Sequence, residues 1–215
     1  MGWRVARWSS VPGLEQCFGD RREIPDRAVI TLRQVHGREV HAAGDVVGGE
    51  TSGDGLVACP PSSFVGVWTA DCVPVHLLAS DERVAAALHC GWRGTAAGIV
   101  PAAIALLEKR WSIPATRIEA ALGPAIGGCC YVVGEEVRGR FVERAGEKLG
   151  AVGFRTRARE LYLDLRKFLA AELTGLGVSR IYSVGPCTAC RTDVLHSYRA
   201  APGSGRQLSW IGWLG

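Results

Sequence analysis

No stretch of this 215-residue sequence is apolar for long enough to cross a membrane. The longest apolar run, near Ala96–Leu107, is short and holds Gly98 and Pro101. The N-terminal Met1-Gly-Trp-Arg-Val-Ala lacks the apolar core of a secretory leader, and Ala6 stands where myristoylation wants Ser or Thr. A basic stripe is also missing. Arginines are scattered from Arg4 to Arg206 under a net charge of only +4, which argues against a nucleic-acid partner. The same charge suits a small anion such as phosphate, which needs one or two placed arginines. Charged residues make up 21% and apolar residues 47%, so disorder is excluded and a real core is expected. Nothing resembling a linker divides the chain, which reads as a single domain over residues 1–215. The expected location is the cytoplasm, where thiols stay reduced. No protein partner is legible.

Histidine is scarce. The five are His36, His41, His76, His89 and His196, too few for the several imidazoles of a multicopper oxidase. Cysteine is not scarce. Eight are present: Cys17, Cys59, Cys72, Cys90, Cys129, Cys130, Cys187 and Cys190. In a chain of this size without a leader they point to buried thiols with a metal or catalytic site rather than a disulfide framework. Cys187-Thr-Ala-Cys190 is a CxxC without a second copy. A four-cysteine metal site would have to use Cys129 and Cys130, and vicinal cysteines ligate one ion awkwardly. The expectation is therefore plain thiols at Cys187 and Cys190, with neither a disulfide nor a second zinc.

Alternation predicts a strand over Val29–His36 that returns through Gly37 as a hairpin with Arg38–Ala42. Gly44–Gly55 reads as a loop. Phe64–Leu78 reads as one long strand, with Pro74 marking an edge, a bulge or an interruption. Arg83–His89 is a short buried strand. A helix follows from Thr95, a candidate N-cap, to about Lys109. Ile118–Leu122, Ile181–Val184 and Leu208–Trp213 read as strands, and Gly134–Ala145 and Asp164–Leu176 as amphipathic helices. The mixture is α/β, a mixed sheet flanked by helices, with hairpins that a purely parallel sheet would not contain.

His36 and His89 both end strands beside a glycine turn, where side chains become available to a cleft. Cys72 lies in an apolar strand beside Asp71. If these strands are neighbours, two imidazoles and a thiolate converge, a zinc set that leaves a fourth position open. The plainer reading is two hydrogen-bonded strand-end histidines and a core thiol, and spacing alone favours it. Asp54, in Ser52-Gly-Asp-Gly, is either an acid/base group, an orienter of an imidazole, or a turn aspartate. Arg93 and the backbone N–H groups after Gly91 lie where a strand, a glycine turn and a helix would meet, a layout suited to phosphate. A solvated turn arginine is the even alternative. Arg33 should point away from His36 if the strand is regular.

Several segments together resemble one family, known as the laccase-domain, polyphenol oxidoreductase or purine nucleoside phosphorylase family, which includes the human macrophage immunometabolism enzyme. They are Arg33-Gln-Val-His-Gly37, Asp54-Gly-Leu-Val, Thr69-Ala-Asp-Cys-Val-Pro74, His89-Cys-Gly-Trp-Arg-Gly-Thr-Ala-Ala-Gly98, Leu122-Gly-Pro-Ala-Ile-Gly127, Cys130-Tyr131, Cys187-Thr188, Ser197-Tyr-Arg199 and Gly205-Arg206. Each is weak alone, but the ordered set is specific. The resemblance implies a fold like that of cysteine-hydrolase-type toxin domains. It implies a zinc site at His36, Cys72 and His89, with copper the less favoured metal, and so reverses the spacing-only preference. It also implies phosphorolysis of adenosine, inosine, guanosine and methylthioadenosine, and deamination of adenosine. For those reactions Cys72, His89 and Asp54 are the candidate catalytic residues, and Arg93 and Gly91 the candidate phosphate holders. Val132 stands where the family usually has Glu, and Cys90 where it has Ala.

Three other readings compete. A metal-free cysteine hydrolase would use Cys72 as nucleophile and His89 as base on an amide, for instance in a cell-wall precursor. A polyphenol oxidoreductase would need more histidines than the chain has. A non-catalytic binding protein would hold zinc and turn over no nucleoside.

Overall fold

The computed structural model describes residues 2–59 and 64–214; Met1 and Gly215, the ends of the expected domain, lie outside the described residues. In chain order the strands are β1 (Leu14–Phe18), β2 (Val40–Ala42), β3 (Gly55–Ala58), β4 (Phe64–Thr69), β5 (Val73–Ala79) and β6 (Val84–Cys90). Helices α1 (Trp92–Ala97) and α2 (Ile99–Trp111) follow, then β7 (Glu119–Leu122), β8 (Val132–Val133) and α3 (Glu135–Gly150). The chain closes with β9 (Phe154–Arg157), β10 (Glu160–Leu163), α4 (Leu165–Gly175), β11 (Arg180–Ser183) and β12 (Gln207–Trp213).

Three sheets form. The largest has six strands in the order β11-β7-β5-β6-β3-β2, and two three-stranded sheets run β1-β12-β4 and β8-β10-β9. The six-stranded sheet is mixed: β11–β7 and β2–β3 pair parallel and the rest antiparallel. Side-chain alternation explains the layering. Val75 and Leu77 of β5, with Ala86 and Leu88 of β6, face a core shared with Ile99, Val100 and Leu107 of α2 and with Phe168 and Leu169 of α4. Their neighbours Leu78, Ala85 and Ala87 face the opposite core, against Val65, Val67, Ile211 and Trp213 of the β1-β12-β4 sheet. The central sheet is thus covered on both sides, which is why every residue of β5 and β6 is buried and why these strands are mostly apolar, with His76 and His89 their polar members. The mixed α/β class is as expected. Among the described residues no helix is long and apolar enough to cross a membrane.

Four local readings need correction, and each bears on the site. Val29–His36 makes only isolated bridges, at Ile30 and Arg33, and β2 pairs parallel with β3 instead of folding back as a hairpin. The backbone N–H groups that a hairpin would have used at residues 35–37 go to the Asp54 carboxylate instead. The long strand over Phe64–Leu78 breaks at Ala70–Cys72, where Asp71 adopts φ 92° and the chain passes from one sheet to the other. Pro74 sits near the start of β5, just past that break. The helix begins at Trp92, not Thr95: Gly91 is the cap, the Thr95 N–H donates to the Gly91 carbonyl, and Gly98 at φ 89° splits the segment into two helices. β1 and the β9–β10 hairpin were not foreseen.

Candidate metal centre and ligand cavity

Asp54 precedes β3 and is fully buried. Its carboxylate accepts backbone N–H bonds from Val35 (3.2 Å), His36 (3.0 Å) and Gly37 (2.7 Å). The His36 backbone takes the left-handed conformation, φ 60°, which turns three successive amides onto one anion. Asp54 Oδ1 also lies 2.7 Å from His89 Nδ1, and the Asp54 carbonyl accepts the His89 backbone N–H at 2.7 Å. One aspartate therefore sets both the loop carrying His36 and the ring of His89.

That ring is directed at His36 and Cys72. The two imidazoles meet edge to face with centroids 4.8 Å apart. One donor atom from each of His36, Cys72 and His89 lies within 4.8 Å of the others, so the group can hold a metal ion. The donor chemistry fits. A carboxylate can only accept, so His89 donates from Nδ1 to Asp54 and turns Nε2 toward Cys72, where a metal ion would take the place of the Nε2 proton. Space fits too: a Cβ on Gly91 would fall 2.9 Å from Cys72 Sγ and 3.2 Å from His36 Cδ2, so glycine keeps the cradle open.

The electrostatics follow from these contacts. Burial pushes the Cys72 thiol up, but hydrogen bonds from His36 and His89 outweigh it and bring the thiol down to about 7. Burial opposes charging of His89, yet Asp54 and the Cys72 thiolate raise it to about 9. Burial likewise works against the Asp54 carboxylate, and the His89 and backbone donors hold it below the usual range. The cluster favours a thiolate beside a carboxylate-bound imidazole.

The three residues open onto a cavity of about 620 Å³, within the range of small-molecule sites. Arg93 and Gly91 line it, whereas Asp54 lies behind His89. Arg93 is exposed, and its guanidinium stacks over Trp92 at 4.7 Å. Arg33 bonds Ser52 and lies outside the lining. Sequence reasoning quoted but gave no role to Tyr131, Tyr198, Arg199 and Arg206, all of which line the cavity. Arg199 is held by three contacts. Its backbone N–H donates to Asp71 Oδ2 at 2.7 Å, its Nη1 donates to the Val132 carbonyl at 3.0 Å, and its guanidinium lies 5.1 Å from the Tyr131 ring centroid. Val132 thus meets Arg199 through backbone, a contact its side chain does not make. Trp68 and Gln34 also face the cavity, locked to each other by paired bonds of 2.8 Å. Gln34 belongs to the Arg33-Gln-Val-His-Gly37 segment without a role read for it, and Trp68 lies just before the Thr69–Pro74 segment.

The family model described as multi-copper polyphenol oxidoreductase laccase matches residues 13–214. The chain is 31% identical over 195 residues to "Purine nucleoside phosphorylase YlmD" of Geobacillus stearothermophilus, covering 85% of this chain and 71% of that protein. It is 30% identical over 185 residues to "Purine nucleoside phosphorylase YfiH" of Escherichia coli, covering 86% and 73%. Its fold is similar to the crystal structure of YlmD from Geobacillus stearothermophilus, with a TM-score of 0.78, 30% identity, and 86% of this chain and 73% of that chain covered.

Proposed function

Because the chain belongs to the multi-copper polyphenol oxidoreductase laccase family, we propose that it is a zinc-dependent purine nucleoside enzyme. In this reading residues 1–215 act as one domain of the cysteine-hydrolase-like type. The reactions are phosphorolysis of adenosine, inosine, guanosine and methylthioadenosine, and deamination of adenosine. The observation that carries it is the convergence of His36, Cys72 and His89 at the floor of a nucleoside-sized cavity. The printed names of the two relatives support the substrate class.

His36, Cys72 and His89 would hold the metal, with zinc preferred over copper for this soft and borderline donor set. Zinc, when bound, supplies Lewis acidity at neutral pH. The residues of the chain do the rest. Asp54 positions His89 and the His36 loop, and proton traffic through Asp54 would have to pass by His89 Nδ1. Arg93, with Arg199 and Arg206 in the same cavity lining, would hold phosphate by charge-assisted hydrogen bonds. Tyr131, Trp68 and Tyr198 offer aromatic faces for a purine. In phosphorolysis a phosphate oxygen bonds to C1′ of the ribose as the C1′–N9 bond breaks, and the departing purine takes up a proton. In deamination water adds at C6 of adenine and ammonia leaves.

A second reading rests on the lowered Cys72 thiol. With His89 and Asp54 behind it, Cys72 is arranged as a hydrolase nucleophile in the absence of metal. Incubating zinc-loaded protein with each of the four nucleosides, with and without phosphate, separates the two. Phosphate-dependent release of free base supports the nucleoside reading. Full activity on an amide after zinc removal supports the hydrolase.

A further inference from the structure

Next to Tyr131 in the chain, a second cluster brings together the four cysteines that sequence spacing left as plain thiols. Cys129 and Cys130 lie in a turn closed by the Cys130 N–H donating to the Gly127 carbonyl at 2.9 Å. The turn directs both sulfurs at Cys190: Cys129 Sγ lies 3.7 Å and Cys130 Sγ 3.4 Å from Cys190 Sγ. Cys187 completes the group, and the four Sγ atoms lie within 4.8 Å of one another. The vicinal pair is no obstacle, because the turn lets both thiols converge.

From this geometry we infer that Cys129, Cys130, Cys187 and Cys190 form a second, structural zinc site, separate from the cavity. Four sulfurs held at about 2.3 Å from a zinc ion stand about 3.8 Å apart along the edges of the tetrahedron. The two Sγ–Sγ separations to Cys190, 3.4 and 3.7 Å, lie just under that edge, and no pair of the four is more than 4.8 Å apart. One disulfide would join two of these sulfurs and leave the other pair without purpose, whereas one ion uses all four. The surroundings fit the charge. A zinc tetrathiolate carries a net charge of minus two. Arg155, Arg166 and Lys167, against the single carboxylate of Asp164, line the adjoining depression beside Cys129 and Cys187. The Gly127 N–H donates to Cys187 Sγ at 3.2 Å, a contact that favours the thiolate form. Binding forms four Zn–S bonds and releases to solvent the protons that the thiols carried.

The site has a structural use. Cys130 precedes Tyr131, and Cys187 precedes Thr188, whose hydroxyl donates to Asp71 at 2.6 Å. The pairing of the two loops is otherwise thin, an isolated bridge between Ala125 and Cys187 with the Thr188 N–H donating to the Ala125 carbonyl at 3.1 Å. An ion between them would pin the cavity wall that carries Tyr131 and Arg199. The inference does not depend on the nucleoside activity.

The test uses the full chain, reduced, loaded with zinc alone and freed of excess metal. Two equivalents of zinc are expected per chain, and a single equivalent whose X-ray absorption shows nitrogen neighbours overturns the site. A Cys187→Ser/Cys190→Ser variant should lose one equivalent and keep the other; retention of two overturns it. Should that variant not fold, a Cys72→Ala protein leaves the second cluster intact. X-ray absorption on its remaining zinc should show four sulfur neighbours at about 2.3 Å. Nitrogen neighbours there, or a disulfide found among these cysteines by mass spectrometry of the protein as isolated, would contradict the inference.

Discussion

His89 Nδ1 and Asp54 Oδ1 stand 2.7 Å apart, with Asp54 wholly buried behind the His89 ring. The same carboxylate gathers the amides of residues 35–37, so the loop that presents His36 and the strand that presents His89 share one anchor. Asn at position 54 keeps the shape and removes the charge. Asp54→Asn is expected to fold and to bind zinc about 10- to 100-fold more weakly, as for other partners that orient metal-bound imidazoles. Competition with a chelator of known affinity measures this. Unchanged zinc affinity would show that Asp54 does not orient His89.

Gly91 has an ordinary φ of −76°, so replacing it tests space alone. A methyl there would lie 2.9 Å from Cys72 Sγ. Overpacking of this kind costs about 1–3 kcal/mol, which corresponds to roughly 5- to 150-fold if Cys72 gives way. Gly91→Ala should therefore weaken zinc binding by that range while thermal stability of the metal-free protein changes little. A variant that binds zinc as the wild type does would show that the cradle is slack.

Arg93 separates the two reactions. Arg93→Ala removes a charge from the cavity wall and leaves the metal ligands in place. Phosphorolysis should fall through a raised requirement for phosphate, while deamination, which consumes water, should suffer less. Initial rates against phosphate concentration decide it. Equal losses in both reactions would assign Arg93 to the ribose or to the turn.

His76 gives a prediction outside the site. It is fully buried, stacks on Phe18 with centroids 4.1 Å apart, and neither ring nitrogen has a hydrogen-bond partner among the described residues. Burial lowers its pKa from 6.5 to about 3. Below pH 6.5 the unfolded chain takes up a proton that the folded chain refuses, so stability falls with pH from 6.5 toward 3. The slope from this one group is about 1.4 kcal/mol per pH unit. His76→Phe should flatten the acid limb by that amount, as read from urea midpoints across pH. An unchanged slope would mean that His76 is protonated in the fold.

The sequence made some features readable and hid others for physical reasons. Residues 84–90 declared themselves as a buried strand because both faces are covered, and the amphipathic helices because each buries one face. The break at Ala70–Cys72 was hidden because apolar residues continue through a change of sheet, which periodicity does not register. The helix start was misplaced because Thr95 is a better cap by type than Gly91, although Gly91 is the residue whose lack of a side chain the site requires. The convergence of His36, Cys72 and His89 was legible only as a family pattern, because the three come from separate segments that the fold brings together. The four-cysteine cluster was discounted because spacing says nothing about how a turn aims two adjacent side chains.

The central claim is that one metal centre serves both reactions, and Cys72→Ala tests it most directly. Adenosine is incubated with phosphate and zinc-loaded protein, and adenine, inosine and ribose 1-phosphate are quantified together for the wild type and for Cys72→Ala. The account predicts adenine with equal ribose 1-phosphate, accompanied by inosine, from the wild type, and loss of both reactions in the variant along with the zinc held by His36, Cys72 and His89. Wild-type protein that holds this zinc but turns over no adenosine, or a Cys72→Ala protein that keeps either reaction, would contradict it.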